Sequence, residues 1–169
     1  NRVSPFKTDQ TRTDPEMRRD MVARAVAGNP AFVVSEIEIR RPGPSYTIDT
    51  VQHFRATLPA GTNLFWLIGA DSLQSLIDWR SIEELVHLVT FVTAARPGFA
   101  FDDWTALRAK VGDQAVAALA AHVFPTPEVD ISSTAIRGRV RGKESIAYLV
   151  PETVAEFIAR AKLYRPLST

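Results

Sequence analysis

Apolar positions along the chain follow two patterns, helical spacing in some stretches and short unbroken runs in others. Met17, Met21, Val22, Ala25 and Val26 recur at helical spacing. Asp14 followed by Pro15 marks the start of that helix, because aspartate caps free N–H groups and proline loses nothing in the first turn. Gly28-Asn29-Pro30 ends it. Phe32 to Ile39 is rich in β-formers and predicts a strand, Arg41 to Pro44 predict a loop, and Thr47 opens a helix carrying Ile48, Val51, Phe54 and Leu58. Leu64 to Ile68 is continuously apolar, the pattern of a strand covered by helices on both faces, and it stops at Gly69-Ala70-Asp71 before a helix bearing Leu73, Leu76 and Ile77. Ser81 with Glu84 predicts a capping box, and Leu88 to Ala95 a second strand, ending at Arg96-Pro97-Gly98. Further on, Asp103 to Ala121 predicts helix and Val123-Phe124 a short third strand. Val129 to Thr134 leads into a helix near Ala135, and Pro151 begins an amphipathic helix through Val154, Phe157, Ile158 and Ala161.

Apolar strands alternating with helices predict a doubly wound parallel α/β sheet, and 169 residues suit a single domain. In such sheets ligands sit beyond the carboxyl ends of the strands, so Gly69 to Asp71, Arg96 to Gly98 and Ile131 to Arg137 are expected to face one cleft.

Composition narrows the chemistry. A net charge of +1 supplies no long-range field for nucleic acid or an anionic membrane, so phosphate recognition has to be local. The chain has no Cys, which excludes a disulfide scaffold and a thiol nucleophile within it. No apolar run reaches membrane-spanning length and residues 1–5 lack the apolar stretch of a secretory signal, so the cytoplasm is the expected location. The polar, Pro-containing start without Met predicts a further segment before Asn1.

Ile131-Ser132-Ser133-Thr134-Ala135-Ile136-Arg137 is the most informative stretch. Hydroxyl residues at a helix start leave backbone N–H groups aimed at one place, where the helix dipole favours negative charge. Arg137, three residues after Thr134, projects along the same side and adds a forked donor for phosphate. An ordinary Ser/Thr cap followed by a surface arginine accounts for the same residues equally well. Gly69 lets backbone approach a ligand and Asp71 offers a carboxylate to ribose hydroxyls, or Asp71 simply caps the next helix. Trp79 either stacks on a planar ring or packs in the core. Ser45 to Thr50 offers a helix start suited to a carboxylate, or simple capping by Ser45 or Thr47. Gly142-Lys143-Glu144 is no P-loop and there is no Gly-x-Gly-x-x-Gly stretch. His53, His87 and His122 lack metal-ligand spacing, with His53 and His87 expected on helical surface.

Taken in order, Ser4-Pro5-Phe6-Lys7, Ser45 to Thr50, Ile68 to Leu73, Trp79, Arg96-Pro97-Gly98, Ile131 to Arg137 and Tyr148 to Pro151 resemble the nicotinate mononucleotide adenylyltransferase family of the nucleotidyltransferase superfamily. The resemblance implies a Rossmann-like nucleotidyltransferase fold and transfer of the adenylyl group of ATP, with Mg2+, to nicotinate mononucleotide. It implies that Ile131, Ser132, Ser133, Thr134 and Arg137 hold the ATP phosphates, Thr134 and Arg137 acting catalytically, while Gly69 and Asp71 line the ribose site. Tyr46, Thr47 and the backbone near Arg80 would receive the nicotinate carboxylate, Trp79 the pyridine ring, and Lys7 and Arg96 the mononucleotide phosphate. The family's first signature, a Gly-rich turn and a His-x-Gly-His motif, is absent from these residues, so the chain is expected to be the larger, C-terminal part of such an enzyme. Another small-molecule adenylyltransferase, for example one acting on phosphopantetheine, and a non-catalytic nucleotide-binding module are the competing readings. A homo-oligomer is compatible with all of them.

Overall fold

The protein is described by a computed structural model over residues 13–96, 99, 101 and 103–165, whose residues gather into two compact units, 44–128 in one and 13–43 with 129–165 in the other. Each has its own apolar core.

In the unit spanning 44–128, β1 (Phe65–Gly69), β2 (Thr90–Ala95) and β3 (Val123–Pro125) form a parallel sheet in the order β1-β2-β3. Parallel neighbours need crossover connections. Between β1 and β2 these are α4 (Ala70–Gln74), a 3₁₀ turn (Leu76–Asp78) and α5 (Ile82–Leu88). Between β2 and β3 they are α6 (Thr105–Val111) and α7 (Asp113–Ala121), separated where Gly112 takes φ +85°. The helical pattern over 103–121 is thus two helices, because a left-handed residue ends the hydrogen-bond ladder of the first.

The register pairs Trp66 with Phe91 and Ile68 with Thr93, placing these four on one face. That face is the buried one: Ile68, Phe91 and Thr93 join Leu73, Leu76, Ile82, Leu85, Leu107, Val116 and Leu119 inside. Burying each such leucine or isoleucine contributes about 1.5–3 kcal/mol. Phe65 and Leu67 point to the other face and are 64% and 72% exposed. The expectation that β1 is covered on both faces is therefore corrected, since helices of the described residues bury only alternate positions of it.

Helix α3 (Thr47–Thr57) adds Ile48 and Val51 to this core and lies against α5. Gln52 Nε2 donates to Glu84 Oε1 at 2.8 Å, and the Arg55 guanidinium donates to the carbonyls of Leu88 and Thr62. Glu84 is therefore not engaged in a capping box. Ser81 takes the left-handed conformation, φ 54°, and makes no side-chain cap bond. A residue with that backbone does not aim its hydroxyl along the helix start as an extended N-cap residue does.

The other unit is helical. Asp14 Oδ1 accepts from the Glu16 and Met17 N–H groups and so starts α1 (Pro15–Val26) as predicted. α1 packs on α9 (Glu152–Arg160), with the Arg24 guanidinium 4.7 Å from the Phe157 ring centroid and the Thr153 hydroxyl donating to the Arg24 carbonyl. Ile146, Val154 and Ile158 form its core, with Met21, Ile136 and Val140 packed around them. The strand expected over Phe32 to Ile39 is not formed; its second half is the short helix α2 (Ile37–Arg40). A strand gains its stability from a ladder, and no strand of the described residues lies alongside. Phe32 and Val33 stay exposed, while the Glu36–Arg40 ion pair at helical spacing favours the turn. No helix of the described residues is long and apolar enough to cross a membrane.

Candidate active site

In the helical unit, α8 (Ser133–Arg141) begins at the N-cap Ser132, whose Oγ accepts from the Ala135 N–H at 3.1 Å. The helix starts two residues before the expected Ala135, because the serine cap engages it earlier. With that cap engaged and the Ile136 N–H bonded to the Ser132 carbonyl, the N–H groups of Ser133 and Thr134 have no partner among the described residues. Arg137, half-buried, donates from Nη2 to Thr134 Oγ1 at 3.2 Å, so the guanidinium is drawn towards the helix start. Free amides, a hydroxyl, a forked cation and the positive end of a nine-residue helix share one small exposed region, which suits an anion with several oxygens. Ile131 is exposed directly before the cap.

In the sheet-bearing unit, Gly69 closes β1 and is itself the N-cap of α4, so Asp71 lies in the first turn instead of capping it. Asp71 is exposed and its carboxylate has no partner among the described residues. Gly69 has an ordinary φ of −82°, so its lack of a side chain serves space: a Cβ there would meet no atom within 4 Å. Gly69 pairs in register with Ala94, which puts Gly69 to Asp71 and exposed Arg96 at the same carboxyl end of the sheet. Pro97, Gly98 and Lys7 lie outside the described residues.

Tyr46 is the N-cap residue of α3 and makes no side-chain cap bond, so neither Ser45 nor Thr47 takes the capping position. Thr47 is the first helical residue. Trp79 follows the 3₁₀ turn and is half-buried, its indole edge-on to Phe91 with centroids 6.1 Å apart. Next to it, the Arg80 guanidinium lies over the Tyr46 ring, 4.7 Å from its centroid. The turn is held from a third element, since Lys110 Nζ of α6 donates to the Ile77 carbonyl at 2.9 Å. Phe91 and Lys110 carry no site signal in the sequence. Their part depends on crossover packing that no local pattern encodes. His53 and His87 are exposed on α3 and α5, as expected.

The chain matches the cytidylyltransferase-like family model over residues 1–139. The probable nicotinate-nucleotide adenylyltransferase of Moorella thermoacetica is 38% identical over 162 residues, covering 96% of this chain and 74% of the relative. That of Salinispora tropica is 36% identical over 159 residues, covering 94% and 79%. A solved structure of Plasmodium falciparum nicotinic acid mononucleotide adenylyltransferase complexed with NaAD superposes with a TM-score of 0.68 at 16% identity, over 96% of this chain and 78% of that one. At that identity the likeness concerns the fold, and it bears out the parallel Rossmann-like nucleotidyltransferase sheet expected from the alternating strands and helices. The chain belongs to the cytidylyltransferase-like family and, within it, to the nicotinate-nucleotide adenylyltransferases.

Proposed function

We propose that the protein transfers the adenylyl group of ATP to nicotinate mononucleotide, forming nicotinate adenine dinucleotide and pyrophosphate in the cytoplasmic synthesis of NAD. The observation that carries this reading is the start of α8 in a chain of this family: two unbonded amides and an arginine drawn to the Thr134 hydroxyl, a seat for the phosphate tail of ATP. A phosphate oxygen of the mononucleotide attacks the α-phosphorus of ATP, the bond from that phosphorus to the bridging oxygen breaks, and pyrophosphate leaves. No protein nucleophile is needed, so positioning and charge neutralisation carry the rate. Arg137, Thr134 and the amides of Ser133 and Thr134 neutralise the leaving pyrophosphate, while Gly69 gives room and Asp71 accepts from ribose hydroxyls. Trp79 offers a face to the pyridine ring, the start of α3 at Tyr46 and Thr47 receives its carboxylate, and Arg96 and Lys7 bind the mononucleotide phosphate.

Mg2+ enters with ATP as part of the co-substrate. Among the described residues no three His, Asp or Glu side chains cluster so as to hold an ion, so the phosphate oxygens themselves supply its ligands.

The test uses the natural full-length protein with ATP, Mg2+ and nicotinate mononucleotide, following pyrophosphate release and identifying the dinucleotide by mass. Pyrophosphate release with phosphopantetheine in place of the mononucleotide would assign another adenylyltransferase. ATP binding without turnover of either acceptor would assign a nucleotide-binding module.

A further inference from the structure

The Arg80 guanidinium is unusual in its surroundings. It is exposed, it makes no hydrogen bond or ion pair among the described residues, and its one partner is the face of the Tyr46 ring at 4.7 Å. Other arginines of the same unit are engaged: Arg55 spends its donors on the Leu88 and Thr62 carbonyls, and Arg108 pairs with Asp113. A ring face attracts a cation without consuming any of its N–H donors, so Arg80 keeps five of them free for an anion. The ring that holds it belongs to the N-cap residue of α3, where the dipole of an eleven-residue helix repels a cation and attracts an anion. A positive side chain held beside a positive helix end raises the free energy of the empty arrangement and lowers it when a negative group arrives. Adjacent in the chain is Trp79, whose half-buried indole is fixed edge-on against Phe91.

We propose that the Arg80 side chain is a specificity residue that makes this protein prefer a pyridine mononucleotide bearing a carboxylate over one bearing a carboxamide, and that Tyr46 is the positioning residue that holds it. The proposal rests on the reading of Trp79 and the α3 start as the mononucleotide site and adds to it the source of acid-over-amide discrimination. Both substrates bring the same ribose, phosphate and ring, so contacts to those parts cancel in the ratio. Only a group that senses the substituent's charge separates them, and among the described residues around Trp79 the unspent guanidinium is that group.

The experiment measures kcat/KM and, by calorimetry, Kd for the acid and the amide mononucleotide in the full-length protein and in Arg80→Ala, Arg80→Lys, Tyr46→Phe and Tyr46→Leu. Arg80→Ala is expected to lower the acid-to-amide ratio by about tenfold, the scale of one charge-assisted hydrogen bond, through a higher KM for the acid with the amide unchanged. Arg80→Lys should recover part of the ratio, since it restores charge without the fork. Tyr46→Phe should keep the ratio and Tyr46→Leu lose part of it. A ratio unmoved in Arg80→Ala, or equal ratios in the two Tyr46 variants, would overturn the corresponding role. Acid-selective binding that depends on Arg80 without any turnover would uphold this inference and overturn the proposed reaction. Turnover whose acid preference ignores Arg80 would do the reverse.

Discussion

The Trp79 indole meets the Phe91 ring edge-on, centroids 6.1 Å apart and planes at 71°, so β2 supports the residue that follows the 3₁₀ turn. Half of the indole is thereby committed to packing while a face remains for a ligand ring. Trp79→Ala is expected to raise KM for nicotinate mononucleotide, with that for ATP nearly unchanged, by about 0.5–1.5 kcal/mol of lost stacking beyond area. Trp79→Phe, which keeps a ring against Phe91, should restore most of it. Steady-state kinetics with each substrate varied in turn check this; equal loss for both substrates in a poorly folded Trp79→Ala protein would make Trp79 a packing residue only.

For Arg137 the expected result is the opposite split. Its partner in the protein is the Thr134 hydroxyl at the head of α8, so Arg137→Ala should lower turnover and leave mononucleotide affinity in place. One charge-assisted hydrogen bond to phosphate is worth about 1.5–3 kcal/mol, on the order of ten- to a hundred-fold in rate. Pyrophosphate release at the unaltered rate in Arg137→Ala would remove this residue from the mechanism.

How far the sequence discloses the molecule differs from element to element. The Asp14 cap, the β1-to-α4 junction at Gly69 and the α8 start at Ser132 are local chemistry, and each forms within two residues of its expected place. Phe32 to Ile39 fails because strand formation depends on a neighbour, which local β-propensity does not guarantee. The Ser81 and Glu84 capping box fails because Glu84 instead meets Gln52, thirty-two residues away, and Ser81 is left-handed. The hydroxyls and arginine of the phosphate seat are legible because they are consecutive on one helix. The Tyr46–Arg80 stack joins two segments that only the fold brings together, so no spacing rule points to it.

Glu36 predicts a pH dependence of stability. Hydrogen bonds from Arg40, at 2.7 and 3.0 Å, and then from Arg19 at 2.8 Å hold its carboxyl below the usual carboxylate range. A depressed pKa in the folded state means the ionised form is favoured by folding. The contribution is therefore complete above the unfolded-state value and disappears as pH falls through the folded-state one. Glu36→Gln should be less stable than the natural protein at neutral pH, with the difference narrowing steadily under acid. Thermal unfolding across that range, at low and high salt, measures it; a difference independent of pH would show that the lost packing of the side chain matters and its charge does not.

The last prediction concerns Thr93, which lies at the centre of β2 with 0% of its surface exposed and whose hydroxyl finds no hydrogen-bond partner. It sits on the covered face, in register with Ile68 and one strand step from Phe91, so its surroundings are apolar. An unsatisfied buried hydroxyl costs about 1–3 kcal/mol relative to a satisfied one. Valine has the same branched shape, the same preference for strands and no group to leave unpaired. Thr93→Val is therefore expected to stabilise the protein by about 1 kcal/mol, seen as a higher denaturation midpoint with an unchanged slope. Thr93→Ser keeps the orphan hydroxyl and deletes a methyl, so it should destabilise by about 1 kcal/mol or more. The pair separates the two contributions of one side chain. If valine destabilised as serine does, the hydroxyl would have to be satisfied by a buried water bridging it to backbone, and the expected gain would turn into the loss of that bond.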